Sequence, residues 1–263
     1  MFFQRLLGLA LLCASPFLMA EDCEYSEWGR DDQIGAANRI TPERTIAAAS
    51  LVKTGASHPL GIIITPGMPA YPPRYTQLQV VQPEHQYRTD ASHKLGWKIS
   101  ANDDLVQMWL GTGPQIDGLG HLGEDGEFYN CHQGKDFAAI TGLTKLDISQ
   151  IPPMVARGVL IDVAKHFGVS HLSAAQPIST QDLQGAMKEQ DITVREGDVI
   201  LLHTGYTDAF LEANPELWGS TIPGITNDAA RYLASLKPLA VGADTWGLGA
   251  VPPKPGDKVF YDH

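Results

Sequence analysis

The sequence predicts an α/β fold in which a mixed sheet is flanked by helices, and three observations carry that expectation. Apolar runs of strand length recur at residues 158–163, 198–203 and 239–242. Between them lie two segments, 179–187 and 226–237, whose apolar residues share one helical face behind a hydroxyl cap. Neither an internal repeat nor a linker interrupts this order, so a single domain is expected over residues 21–263. Strands that alternate with amphipathic helices bury their apolar faces against one another, and a sheet with crossover helices is the packing that allows it.

In chain order, the first twenty residues stand apart. A weakly basic start ending at Arg5 precedes the apolar run from Leu6 to Ala14, and Ala20 stands just before the polar Glu21-Asp22. Basic end, short apolar core and small residue form a secretory signal pattern, too short to span a bilayer. Cleavage near Ala20 and a secreted or periplasmic mature chain, free of the membrane, are therefore expected. Thr41-Pro42-Glu43-Arg44 opens a helix with a hydroxyl cap and a first-turn proline, expected to run through Val52 and stop by Gly55. Leu60-Gly-Ile-Ile-Ile64 reads as a short strand. Pro66, Pro69, Pro72 and Pro73 then make residues 65–75 an irregular, extended loop. Further strands are expected at 78–81 and 98–99. The clear runs follow: a strand at 158–163, a helix capped by Ser179 with Asp182 three residues on, a strand at 198–203, a helix at 226–237 and a strand at 239–242.

The 263 residues carry 30 acidic and 19 basic side chains, a formal charge of −11, which repels phosphate backbones and argues against a nucleic-acid partner. With 43% hydrophobic residues the chain can bury a substantial core. Its three cysteines show no zinc-ribbon spacing. Cys23 and Cys131 remain after signal cleavage, and an oxidising compartment favours their pairing.

The chemistry concentrates in Gly111-Thr-Gly-Pro-Gln115-Ile-Asp117-Gly-Leu-Gly-His121. Four glycines and a proline in eleven residues oppose a helix, each interior glycine costing about 1 kcal/mol relative to alanine. Such a segment turns tightly and lets backbone approach a bound group. Gln115, Asp117 and His121 offer oxygen and nitrogen donors of the kind that suit Zn²⁺ or Mn²⁺. A metal-bound water has its pKa lowered to about 7, and a neighbouring histidine can exchange protons with it or with a leaving amine. On composition alone, a tight turn whose Asp117 and His121 bond only to backbone is an equal reading. The glycine spacing fits neither phosphate-binding pattern. His203 ends a strand where pocket residues gather in α/β folds, and Asp162 and Asp244 end strands as well. For His203 a satisfied structural histidine is the stronger reading, and an aspartate at a strand end more often caps the following turn than does chemistry.

The loop resembles the core of the cyclase family of metal-dependent hydrolases, which includes bacterial kynurenine formamidases and isatin hydrolases. That family's pattern is H-x-G-T-H-x-D-x-x-x-H. Position by position, Asp117 takes the metal-binding carboxylate and His121 the proton-transfer histidine, while Gly111 and Gln115 replace the two ligand histidines. The blocks Trp28–Gly35, Thr41–Arg44, Phe128–Asn130, Gly142–Lys145, Arg157–Asp162, Glu196–Gly205 and Val241–Trp246 resemble the family in order. The resemblance implies a swivelling β/β/α domain and a homodimer or higher homo-oligomer. It implies a metal held by Gln115, Asp117 and His263, and cleavage of a carbon–nitrogen bond in a small amide or lactam, arylformamidase-like. His263 takes the place of a second-position histidine, and the glutamate that follows it in the dimetal enzymes is missing, so a chain cut short is expected. The loss of two histidines leaves a second expectation, an inert exported protein that binds a small ligand on the same scaffold.

Overall fold

The computed structural model describes residues 23–81, 102–258 and 260. The signal-like segment, the strand expected at 98–99 and His263 lie outside these residues. Helix α1 (Pro42–Ala49) starts behind Thr41, whose side chain accepts a hydrogen bond from the Arg44 N–H. It stops short of Val52. The Leu51 and Val52 N–H groups donate to Ala48 and Ala49, and these i→i+3 bonds wind the chain out of the helix.

The run at 60–64 is not a strand. It lies along the glycine-rich loop through side chains: Ile64 Cγ1 comes within 2.8 Å of where a Cβ on Gly113 would stand. Ile63 stays 85% exposed. An apolar run becomes a strand only where a neighbour supplies ladder partners for its backbone, and none among the described residues pairs with this one. Strands β1 (Thr76–Val81) and β2 (Asp103–Met108) pair antiparallel with Thr76 opposite Met108.

Small elements then fasten the N-terminal segment. Strand β3 (Glu127–Phe128) pairs with β4 (His132–Gln133), helix α2 (Gly134–Phe137) follows, and β5 (Ala138–Ala139) pairs with β6 (Gly142–Leu143). Between β3 and β4, Asn130 is buried with φ of 54°. Its side chain accepts from Ser26 N–H at 2.8 Å and donates to the Gly29 and Asp32 carbonyls at 2.9 and 2.8 Å. The Tyr129 hydroxyl donates to Asp32 at 2.6 Å. Burial and that carboxylate push the Tyr129 phenol up to about 12. Cys23 and Cys131 close the same knot as a disulfide, with Cα atoms 5.7 Å apart.

The central layer holds β7 (Gly158–Asp162), β9 (Val199–His203) and β11 (Ala240–Ala243), all parallel, in the order β11–β9–β7. The first crossover carries α3 (Val163–His166), β8 (Pro177–Ile178) and α4 (Thr180–Glu189). The second carries α5 (Tyr206–Phe210), α6 (Pro215–Ser220), β10 (Gly224–Ile225) and α7 (Asn227–Ser235). The expected caps form: Ser179 and Asp182 make a reciprocal capping box, and the Thr226 side chain accepts from Ala229 N–H. The α/β class holds, with parallel and antiparallel pairings divided among small sheets.

Ile161, Ile200 and Leu202 from the strands meet Leu183 and Ala186 of α4 and Ala229 and Leu233 of α7 in one buried core. Each large side chain there contributes about 1.5–3 kcal/mol by leaving water. At the amino ends of the strands, Arg157 grips both Asp198 oxygens at 2.9 and 2.6 Å, and Asp198 also accepts from Arg195 N–H. This clamp aligns the starts of β7 and β9, so their carboxyl ends finish level with one another.

Candidate active site

The loop from Gly111 to His121 follows β2 and is irregular throughout. It presses close to β6: a Cβ on Gly120 would lie 2.6 Å from Leu143 Cδ1 and 3.1 Å from the Leu146 carbonyl oxygen. Only a residue without a side chain fits there. Gln115 Nε2 donates to both Asp117 carboxylate oxygens, at 3.2 Å each. His121 Nε2 lies 3.8 Å from Asp117 Oδ2, and the His121 backbone N–H donates to Gly118 in a tight turn. The Asp117 and His121 side chains are 27% and 37% exposed, so a small substrate has access to both. The structure thus brings together three of the four residues that the sequence singles out. The fourth, His263, lies outside the described residues.

Nothing in the local pattern singles out Arg74, yet the structure places it beside this loop. Its Nη1 donates to the Gly111 carbonyl at 3.3 Å. A Cβ on Gly111 would lie 2.9 Å from the Arg74 guanidinium carbon and 2.9 Å from Gln115 Oε1. The one available signal is that Arg74 is the sole charged residue in the proline-rich stretch 65–75.

As arranged, these residues do not fit a resident Zn²⁺ or Mn²⁺. Gln115 turns its N–H donors, not its oxygen, toward Asp117, and a guanidinium stands beside Gly111. Among the described residues, no group of three or more His, Cys, Asp and Glu side chains could hold a metal ion. A cation site needs several converging lone pairs, and here the Gln115 amide presents its donors to the carboxylate.

A second polar cluster sits at the carboxyl ends of the parallel strands, where sequence order had kept its members apart. His203 Nδ1 pairs with Asp162 Oδ1 at 3.1 Å, and its Nε2 lies 3.9 Å from Asp244 Oδ2. Asp244 accepts from the Thr204 N–H and hydroxyl and from Gly205 N–H at 2.7–2.8 Å. Burial disfavours the charged imidazole, but the Asp162 hydrogen bond and the charges of Asp244, Asp162 and Asp208 outweigh it and raise the His203 pKa. Burial likewise opposes the Asp162 carboxylate, while the Lys165 N–H and His203 hold its pKa below the usual range.

A raised folded pKa means that His203 adds its full stability below the unfolded value of about 6.5, and loses it as pH rises through the folded value. Asp162 has the opposite sign, and its contribution disappears as pH falls through its lowered folded value. His203→Gln should therefore lower the melting temperature at about pH 6 and have little effect by about pH 9. Thermal scans at both pH values check this, and an equal loss at each would refute the charged pair. Cys131, being in the disulfide, is no nucleophile for the neighbouring His132.

The Cyclase family model matches residues 57–250 of the chain. The chain belongs to the cyclase family. A crystal structure described as a novel cyclase is 30% identical to this family member and superposes with a TM-score of 0.78, covering 87% of this chain and 78% of that one. Isatin hydrolase A from Labrenzia aggregata, bound to benzyl benzoate, is 17% identical with a TM-score of 0.47, over 77% and 75% of the two chains. Isatin hydrolase A from Ralstonia solanacearum is 16% identical with a TM-score of 0.49, over 72% and 66%. No curated protein matches the chain significantly.

Proposed function

We propose that this cyclase-family chain is a hydrolase that cleaves the carbon–nitrogen bond of a small amide or lactam. The observation that carries the reading is the Asp117–His121 pair, 3.8 Å apart and partly exposed on one loop. His121 takes a proton from water as the water oxygen bonds to the carbonyl carbon, and Asp117 steadies the resulting imidazolium. His121 then returns the proton to the nitrogen as the carbon–nitrogen bond breaks, leaving an acid and an amine.

The resemblance to kynurenine formamidases supports N-formyl aromatic amines as the finer substrate class. The leader-like first twenty residues support export. Exposed Leu78, Val80, Leu105 and Val106 on β1 and β2 support a homo-oligomer, since a two-stranded ribbon with open faces is marginal alone. The test is hydrolysis of N-formylaniline, a benzo-fused lactam and an aryl ester by the purified full chain. Turnover of the amide or lactam supports the reading. No turnover of any of the three would overturn it in favour of an inert ligand-binding protein.

A further inference from the structure

We propose that Leu119 is a positioning residue, whose side chain anchors the turn that sets His121 against Asp117. The inference rests on the hydrolase reading and deepens it. Residues 118–121 form one tight turn, closed by the His121 N–H donating to the Gly118 carbonyl at 3.0 Å. Leu119 and Gly120 occupy its two central positions. With a glycine on either side, Leu119 carries the only side chain between Asp117 and His121. Glycine gives the backbone its widest freedom, so a turn with two of them gains a fixed direction from what its one side chain grips.

The socket for that side chain is built. Leu119 Cδ1 comes within 3.1 Å of where a Cβ on Gly35 would stand, and the Tyr129 ring approaches the same point to 3.7 Å. Gly35 N–H and the Tyr129 hydroxyl both donate to Asp32 Oδ2, at 2.8 and 2.6 Å, so one carboxylate joins the two walls. Asn130 fastens that segment through the Gly29 and Asp32 carbonyls. At the flanking glycines the turn's backbone lies against residues 146–148. A Cβ on Gly118 would stand 3.4 Å from Ile148 Cα, and one on Gly120 3.1 Å from the Leu146 carbonyl oxygen. Gln33 Oε1 accepts from Leu146 N–H at 3.1 Å, which ties this support to the N-terminal segment as well. Leu119 itself belongs to neither buried core cluster of the described residues. It is half-buried and lines an open cleft with Trp28 and Leu248, so its truncation leaves no closed void in the core. What it grips serves the turn.

The experiment uses the full chain with N-formylaniline. Leu119→Ala should lower kcat by about 10–10²-fold with KM nearly unchanged, the loss that follows when a catalytic group sits about 1 Å out of place. Its melting temperature should barely move. Leu119→Met keeps the side-chain volume and should restore most of the rate. A residue that served only the fold would lower the melting temperature and would not divide kcat from KM. If Leu119→Ala fails to fold by circular dichroism, Leu119→Val carries the test, because valine lacks the Cδ1 that reaches Gly35. The imidazole carbon–proton NMR signal of His121, assigned by its loss in His121→Ala, is a second readout that needs no turnover. It should shift or broaden in Leu119→Ala and return to its wild-type place in Leu119→Met.

An unchanged kcat in the folded alanine or valine variant would overturn the proposal. So would a loss confined to KM, one that tracks a fall in melting temperature, or one that Leu119→Met leaves unrestored. If the wild type hydrolyses nothing, the hydrolase reading fails and the His121 signal alone judges Leu119. A shift that methionine reverses supports the anchor, whereas an unmoved signal overturns it.

Discussion

His121→Ala is expected to lower kcat for amide hydrolysis by about 10²–10⁴-fold, the range that a positioned general acid–base contributes. The fold should survive, because what anchors this turn is the backbone N–H of residue 121 donating to Gly118, which alanine keeps. The side chain is 37% exposed and fills no core space. The expected signature is thus an unchanged circular dichroism spectrum, a nearly unchanged melting temperature and a collapsed turnover with KM preserved. A variant that kept more than about a tenth of the wild-type rate would remove His121 from the chemistry. Asp117→Asn should cost less, since an amide still orients the imidazole but no longer stabilises its charged form.

The second large effect concerns stability. Cys131→Ser, or reduction of the wild type, should lower unfolding free energy by about 2–5 kcal/mol, as for loss of a native disulfide closing a long loop. The pair spans 108 residues, so the reduced unfolded chain gains a large freedom that the cross-link denies it. Its loss also loosens the Asn130 knot, which holds Ser26, Gly29 and Asp32 by side-chain hydrogen bonds. Urea unfolding with and without reductant measures the difference. Equal midpoints, or two free thiols in the unreduced unfolded protein, would contradict the prediction.

Elements governed by neighbours in sequence were legible. The Thr41, Ser179 and Thr226 caps each depend on atoms three residues away, and each forms. The strands at 158–162, 199–203 and 240–243 followed from short apolar runs bounded by polar residues. The glycine-rich segment is irregular, as its composition required, and it carries Gln115, Asp117 and His121 together because all three fall within seven consecutive residues. Where the reading failed, distant groups decided. Residues 60–64 have strand composition, but no described segment offers them a ladder, and only Ile64, against Gly113, and Gly61, beside Pro114, approach the loop. Helix α1 stops at Ala49 because its last turn tightens, which alanine-rich sequence does not foreshadow.

The sequence by itself therefore determined the α/β class, the caps, the loop that bears Asp117 and His121, and the two cysteines able to pair. Tertiary structure alone decided what surrounds that loop. Arg74 reaches Gly111 across 37 positions, and His203 meets Asp162 across 41. Turn and cap energies act over three or four residues and leave a periodic trace in the sequence. A guanidinium admitted by a missing Cβ leaves none, because its position depends on how separately formed segments pack.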